Sequence, residues 1–175
     1  MRVERLTTQR LYFRLLHADD LPAVHAYMSD PSVTAWLPEG QLIEAQTCDF
    51  LARNAGEDAE AFALIHAADN TLIGHMIFHP WFSHRTYEIG WVLQAQAHGQ
   101  GYATEAARAL LRYGFEQLRL HRIIATCQPG NTPSYRVMEK LGMRREGHFH
   151  QCIFRGGDLW WDEYFYAILG TEWIQ

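Results

Sequence analysis

The sequence predicts a single domain of the α+β (mixed α/β) class, and three observations predict it. Short apolar runs bounded by turn residues indicate strands, and other apolar positions recur at helical spacing. In the middle of the chain a strand leads through a glycine-rich turn directly into a helix. The 175 residues suffice for one core, and no linker or repeat divides them, so we expect one domain over residues 1–175.

The first third of the chain predicts one strand and two helices. Residues 11–16 are short, apolar and aromatic, as in a strand, and residues 21–28 follow helical spacing. Pro31 is expected to end that first helix. A second helix is predicted over about residues 43–54. Residues 33–41 between the helices read as an irregular apolar segment, which packs on the core or lines a substrate cleft; packing is favoured.

The rest of the chain predicts the sheet. Three runs joined by short connections predict adjacent antiparallel strands. The helix after the glycine turn extends to about Leu118 and returns the chain to a strand, and such a crossover joins parallel strands. A second loop and helix precede two final strands. The predicted strands from here on are residues 62–66, 71–78, 87–93, 123–127, 143–149 and 160–169.

The glycine-rich turn at residues 96–101 has the properties of an anion site. Gly99 and Gly101 can adopt backbone conformations closed to other residues and leave no side chain between the main chain and a ligand. The unpaired amides of the following helix and its dipole favour negative charge at that end. A strand-to-helix turn without any ligand is the alternative interpretation.

Composition limits the partners and the compartment. The net charge of −5 and the lack of a Lys/Arg cluster argue against nucleic acid. The three cysteines are scattered along the chain, so they predict neither a disulfide framework nor a cysteine-based zinc site. This use of cysteine is typical of a protein in a reducing compartment. The charged start Met1-Arg2-Val3-Glu4-Arg5 has no apolar run of signal-peptide or membrane-spanning length. We therefore expect a cytoplasmic protein without a membrane partner.

Two common phosphate-binding motifs do not fit the turn. No lysine follows Gly101, as a P-loop requires, and Thr104 occupies the third small position of a dinucleotide fingerprint. The run Gln96-Ala97-His98-Gly99-Gln100-Gly101 instead resembles the Gln/Arg-x-x-Gly-x-Gly/Ala signature of the GNAT family of N-acetyltransferases. Further similar stretches lie in the family's order at residues 6–20, 72–74, 88–91, 101–106 and 131–143. The C-terminal Trp161-Asp162-Glu163 resembles the branch of the bacterial ribosomal-protein N-terminal (alanine/serine) acetyltransferases.

The resemblance implies a fold and an activity. The GNAT fold has a mostly antiparallel, strongly twisted sheet of about six or seven strands, about four helices, and a parallel strand pair that flanks the coenzyme A site. An amine would attack acetyl-CoA directly in a ternary complex. The acceptor would be a protein N-terminus or a small amine, and a homodimer is left open. By resemblance, the residues that bind acetyl-CoA are Trp91, Val92, Leu93, Gln96, His98, Gly99, Gln100, Gly101, Tyr102, Ala103, Thr104, Asn131 and Ser134.

Catalytic residues follow from the same resemblance. Glu88 is the expected general base, acting directly or through water, and a solvated or paired carboxylate is the alternative. Many family members carry a tyrosine seven residues after the asparagine, but Met138 stands there and cannot donate a proton. Ser134 resembles the serine that the ribosomal-protein branch carries at this point, which implies that it contacts the leaving thiolate and that Asn131 binds the pantetheine arm. Ser134 could instead, or in addition, cap its helix.

Other groups of residues suggest weaker hypotheses. No metal site is expected, because no carboxylate or cysteine completes a ligand set around the histidines at 75, 79 and 84 or at 148 and 150. Aromatic side chains on irregular segments are either walls of an acceptor cleft or core: Trp36, Trp81, Phe82 and Trp160. A coenzyme A-binding scaffold without catalysis, and an antibiotic or polyamine acetyltransferase, are the alternative functions.

Overall fold

The computed structural model describes residues 3–173. Met1 and Arg2, the first two residues of the charged start, lie outside the described residues. One sheet of seven strands, in the order β1-β2-β3-β4-β5-β7-β6, runs through the described chain. The strands are β1 Leu11–Arg14, β2 Ala61–His66, β3 Thr71–Pro80, β4 Thr86–Leu93, β5 Arg122–Cys127, β6 Arg144–Phe154 and β7 Trp160–Leu169.

Helices cover both faces of this sheet. The α-helices of the described chain are α1 Leu21–Met28, α2 Pro31–Thr34, α3 Glu44–Arg53, α4 Tyr102–Arg112 and α5 Thr132–Lys140. Buried residues of α1 and α3 share one apolar cluster with one face of the sheet, and buried residues of α4 and α5 share a second with the other face. None of the described helices has the length and apolar character needed to cross a membrane.

The predicted fold class is confirmed. The only parallel pair among the described strands is β4 with β5, and α4 lies between them in the chain, as a crossover requires. The hairpin of β2 and β3 and the antiparallel pairing of β3 with β4 are also as predicted. The helix after the glycine turn continues beyond Arg112 as one π-helical turn, Tyr113–Gln117, which ends close to the predicted Leu118.

The first helix ends before Pro31, at Met28, as predicted. Pro31 then begins a short new helix that was not predicted: it occupies the first turn of α2, a position that tolerates proline because its missing N–H would be unpaired there in any case. Asp30 caps this helix by accepting a hydrogen bond from the Ser32 amide at 2.8 Å. The segment predicted to be irregular, residues 33–41, therefore begins inside a helix.

Candidate functional site

The strands β4 and β5 separate in the middle of the sheet. Their parallel pairing covers three positions and ends at Glu88 and Ile124. Beyond Glu88, β4 continues to Leu93 against β3 alone, while β5 continues to Cys127 against β7 alone. Two strands that pair at one end and diverge at the other leave a wedge-shaped opening between the ends of β4 and β5.

Backbone groups of β4 face this opening. The Gln94 amide donates to the Ile73 carbonyl of β3 at 2.9 Å, and backbone groups of an antiparallel strand point alternately to either side. The backbone groups of Trp91 and Leu93 therefore point away from β3, toward the opening. The Val92 carbonyl points toward β3, where a Cβ built on Gly74 would lie only 2.2 Å from it. Only glycine at position 74 permits β3 to approach β4 so closely.

The glycine turn ends in a left-handed residue at the start of α4. Gly101 has φ +82° and is the N-cap of that helix, and Gly99 has φ +73°. The residues Gln96, His98, Gly99, Gln100 and Gly101 are all exposed. The amides of Tyr102, Ala103 and Thr104 belong to the first turn, where a helix supplies no internal acceptor. Such amides and the positive end of a helix dipole favour an anion, and the anion site at this turn stays a prediction.

His98 positions the turn. Its Nε2–H donates to the Leu93 carbonyl at 2.8 Å, and its amide donates to the Ala95 carbonyl at 3.1 Å. Gln100 likewise donates through its side chain to the Gln96 carbonyl at 2.7 Å. Both side chains thus tie the turn to itself and to the end of β4.

Glu105 fixes the first turn of α4 from the side of β1. Its carboxylate accepts hydrogen bonds from the Thr8 hydroxyl at 2.6 Å and from the Arg10 amide at 2.9 Å. It also forms an ion pair with the Arg10 guanidinium at 2.6 Å. Arg10 in turn donates to the Gln100 carbonyl at 3.1 Å and lies over the Tyr102 ring. Contacts of Glu105 and Arg10 within the protein therefore hold the glycine turn in place. The sequence alone gave no indication of the contact between these two residues.

Glu88 lies at the point where β4 and β5 separate. Its carboxylate is about one-quarter exposed and lies 3.8 Å from His79 Nε2. Burial raises the pKa of Glu88 above its usual value, with a further increase from the charge of Glu163, while His79 opposes the change. A carboxylate that binds a proton more tightly than in water is a stronger base, which suits proton abstraction.

The structure adds Glu163 to the predicted site. Glu163 lies on β7, one residue beyond the Cys127–Tyr164 pair that ends β5. Burial raises its pKa too, and a hydrogen bond with Thr126 opposes the increase. The Trp161-Asp162-Glu163 motif marked this stretch in the sequence, but only the pairing of β7 with β5 brings it beside the opening.

The start of α5 forms another side of the site. Asn131 is the N-cap of α5, and its side-chain oxygen accepts a hydrogen bond from the Ser134 amide at 3.3 Å. The expectation that Ser134 caps the helix is therefore wrong, and its hydroxyl is not required for that purpose. Met138, at the position where many family members have tyrosine, is 2% exposed in the core. Because it is buried and apolar, it contributes no proton donor.

Two tryptophans pack together beside the loop that precedes α5. A Cβ on Gly130, next to Asn131, would lie 2.5 Å from the Trp36 ring, so the two residues are in close contact. Trp36 also lies 6.1 Å from the Trp161 ring. Arg155 stacks on Trp161 at 3.9 Å and donates to the carbonyls of Leu37 and Pro38. The segment that follows α2 is thereby fastened to β7 and to the loop before α5.

Of the other predicted aromatic residues, Trp81 packs against a buried cluster, whereas Phe82 and Trp160 are exposed. Trp81 is half-buried against Phe165, with ring centroids 5.3 Å apart, whereas Phe82 is 84% exposed. Trp160 is exposed beside Phe154 in the hairpin of β6 and β7. Trp36 and Trp81 are thus exposed enough to line a cleft. The sequence marked Trp161 only as part of the Trp161-Asp162-Glu163 motif, not as a wall of a cleft.

Comparisons with known proteins identify the family. The model of the acetyltransferase (GNAT) domain matches residues 10–144. The uncharacterized N-acetyltransferase YnaD of Bacillus subtilis (strain 168) is 51% identical over 96% of this chain and 98% of its own length. The crystal structure of a GNAT-family acetyltransferase from Bacillus anthracis superposes with a TM-score of 0.90 at 51% identity, covering 95% of this chain and 99% of that one.

A more distant relative has a named acceptor. The [ribosomal protein uS5]-alanine N-acetyltransferase of Escherichia coli (strain K12) is 26% identical over 97% of this chain and 92% of its own length. The family match covers more than half of the chain and includes the glycine turn, both separating strands and the start of α5. This chain therefore belongs to the GNAT family of acetyl-CoA-dependent N-acetyltransferases.

Proposed function

We propose that this protein transfers the acetyl group of acetyl-CoA to a primary amine by direct attack in a ternary complex, and that its acceptor is a protein N-terminus. The single observation that carries the proposal is the opening between β4 and β5, which has the exposed glycine turn and the first turn of α4 at its side. A long, flexible thioester with a pyrophosphate group needs an anion site and an extended channel side by side, and this arrangement offers both.

The proposed binding residues divide into donors and supports. The amides of Gly99, Gln100, Gly101 and the first turn of α4 hold the pyrophosphate. Trp91 offers its backbone groups to the pantetheine arm and Leu93 offers its amide, because His98 already occupies the Leu93 carbonyl. Val92 lies between them, and Asn131 contributes from the start of α5. A fixed amide at the thioester carbonyl stabilises the negative charge that develops there by roughly a few kcal/mol. Gln96 and His98 hold the turn in shape.

The proposed chemistry needs a base and a group that meets the leaving thiolate. Glu88 removes a proton from the incoming ammonium, directly or through water, and Glu163 is a second base with the same type of pKa perturbation. The Ser134 hydroxyl hydrogen-bonds the departing thiolate. Its freedom from the capping role supports this assignment, since the hydroxyl is available to a ligand.

The acceptor is argued from a relative and from charge. The Escherichia coli relative acts on an alanine of a ribosomal protein, which favours a protein N-terminus over a small amine. Two interacting carboxylates, Glu88 and Glu163, would attract a cationic amine to this end of β4. The free cysteines Cys48, Cys127 and Cys152 support the expected cytoplasmic location.

Mass spectrometry tests this function. The protein and acetyl-CoA are incubated in parallel reactions with four kinds of acceptor: peptides that have alanine or serine N-termini, polyamines, aminoglycosides and a cell extract. We expect a mass increase at peptide N-termini. Acetylation of only the polyamines or the aminoglycosides would replace the protein acceptor with a small amine. Binding of acetyl-CoA without any acetylated product would favour a scaffold protein.

The two bases are separated by matched variants. Glu88→Gln and Glu163→Gln are each assayed for kcat/KM across the acidic pH range. A base must be ionised to act, so the rate of the wild type rises with pH through the raised pKa of the residue that is used. The variant that loses this rise identifies the base. If both variants keep the wild-type pH profile, neither carboxylate is the base.

A further inference from the structure

Two histidines and an aspartate converge on the hairpin formed by β6 and β7. His148 Nε2 and His150 Nδ1 lie 2.7 and 3.0 Å from the same oxygen, Asp162 Oδ2. The two imidazole rings are neighbours, with centroids 4.1 Å apart. One ligand atom from each of the three residues lies within 4.8 Å of the others, and this is the only such group among residues 3–173.

The backbone of β6 holds the aspartate in place. The pairing of β6 with β7 shifts register between Phe149 and Ile153, and Gln151 within this bulge has φ +48°. The Gln151 amide donates to the other carboxylate oxygen, Asp162 Oδ1, at 2.8 Å. A hydrogen bond to the second oxygen of a ligating carboxylate is a typical outer-shell support of a metal site.

The arrangement also answers the objection that the sequence raised against a metal. His148 and His150 lacked a carboxylate partner in the sequence, because Asp162 is 12 to 14 residues away and belongs to another strand. Antiparallel pairing with β7 supplies that partner. His148 further packs edge-on against Tyr164, with ring centroids 4.9 Å apart, which restricts its orientation.

We propose that His148, His150 and Asp162 bind a divalent transition-metal ion, with Zn²⁺ as the expected occupant. Two imidazoles and one carboxylate are ligands that zinc accepts, and three protein ligands leave a position for water or another ligand. Adjacent ligands of a tetrahedral zinc ion lie about 3.4 Å apart, so the present spacing needs only small side-chain movements. On binding, each ligating nitrogen transfers its proton to the other ring nitrogen or to solvent and donates its lone pair.

The consequence for the molecule is local. The ion would join β6 to β7 at the hairpin, on the sheet face where Tyr164 contacts Tyr135 of α5, with ring centroids 6.1 Å apart. None of its three ligands is among the residues assigned above to acetyl-CoA binding or to proton transfer. The proposal therefore does not depend on the acetyl-transfer reaction, and binding of the metal can be measured without any enzymatic assay.

Isothermal titration of the metal-free protein with ZnCl₂ tests the proposal. We expect one saturable site, and about one zinc per chain after removal of the excess. His150→Ala is the first variant, because His150 is largely exposed and its removal leaves the fold intact. Asp162→Asn is the second, because the amide oxygen still accepts the Gln151 hydrogen bond. Each should weaken zinc binding at least tenfold, since even outer-shell changes cost 10–100-fold.

A matched control comes from the hairpin of β2 and β3. His66 lies 2.9 Å from Asp69, a histidine–carboxylate pair that no third metal-ligating side chain joins among residues 3–173. His66→Ala should leave the zinc affinity unchanged. CoCl₂ gives an independent readout, because binding by nitrogen and oxygen ligands changes the visible spectrum of Co²⁺. No saturable site in the wild type, or equal affinity in the wild type and His150→Ala, would overturn the proposal.

Discussion

Replacing Gly101 by valine tests the proposed role of the glycine turn in binding acetyl-CoA. Gly101 has φ +82°, a region that costs an L-residue about 1–2 kcal/mol and is least accessible to β-branched side chains. Space is not the difficulty, because the nearest atom to a Cβ here is Arg10 Nη2 at 3.6 Å, an ordinary contact. The substitution therefore perturbs the backbone conformation of the turn.

The same strain sets the size of the expected effect. If the turn of the variant relaxes to negative φ, binding must restore the left-handed conformation and loses roughly 1–2 kcal/mol. Because 1.4 kcal/mol is a factor of ten, the Kd for acetyl-CoA should rise roughly 5- to 30-fold. Any strain that the folded protein retains should lower Tm by about 2–8 °C for a chain of this size.

Gly40→Val is the matched control. Gly40 also has positive φ, +68°, and a Cβ there meets nothing within 4 Å, but it lies in the loop between α2 and α3. Both variants should lose comparable thermal stability in a melting experiment, and only Gly101→Val should bind acetyl-CoA more weakly by calorimetry. An unchanged Kd for Gly101→Val would refute the proposed role of this turn.

Three further predictions use other contacts of the site. Asn131→Ala removes the cap of α5 and should lower the free energy of unfolding, measured by urea denaturation, by about 1 kcal/mol. Ser134→Ala should change this free energy by less than about 0.5 kcal/mol but should lower kcat. Equal losses of stability in the two variants would contradict these separate roles. Burial acts to raise the pKa of Glu105, but hydrogen bonds from Thr8 and Arg10 outweigh it and lower that pKa below 4.5. The stabilisation from Glu105 is thus present above about pH 4.5 and lost on further acidification, so the difference in unfolding free energy from Glu105→Gln should shrink in acid; a constant difference would disprove it. Arg155→Ala frees the segment after α2 and should raise the KM for the acceptor while the acetyl-CoA Kd stays unchanged; weaker acetyl-CoA binding would contradict the assignment.

Local patterns were sufficient for most of the fold. Strand β7 has the predicted bounds, and α3 begins and ends within one residue of the prediction, because apolar periodicity and turn residues are properties of neighbouring positions. The end of the first helix before Pro31 was predicted, but the start of α2 at Pro31 was not, because that start depends on Asp30 capping the new helix.

The candidate site likewise has features that local sequence determines and features that depend on the tertiary structure. The sequence by itself determined the glycine turn, the helix that follows it and the crossover between parallel strands, since backbone freedom, helix propensity and connection length are local. Only the tertiary structure decided that β4 separates from β5 after Glu88, that Arg10 braces Glu105, and that Asp162 completes a cluster with His148 and His150. These contacts join residues 12 to 95 positions apart, and strand pairing and packing bring them together without leaving a pattern in the intervening sequence.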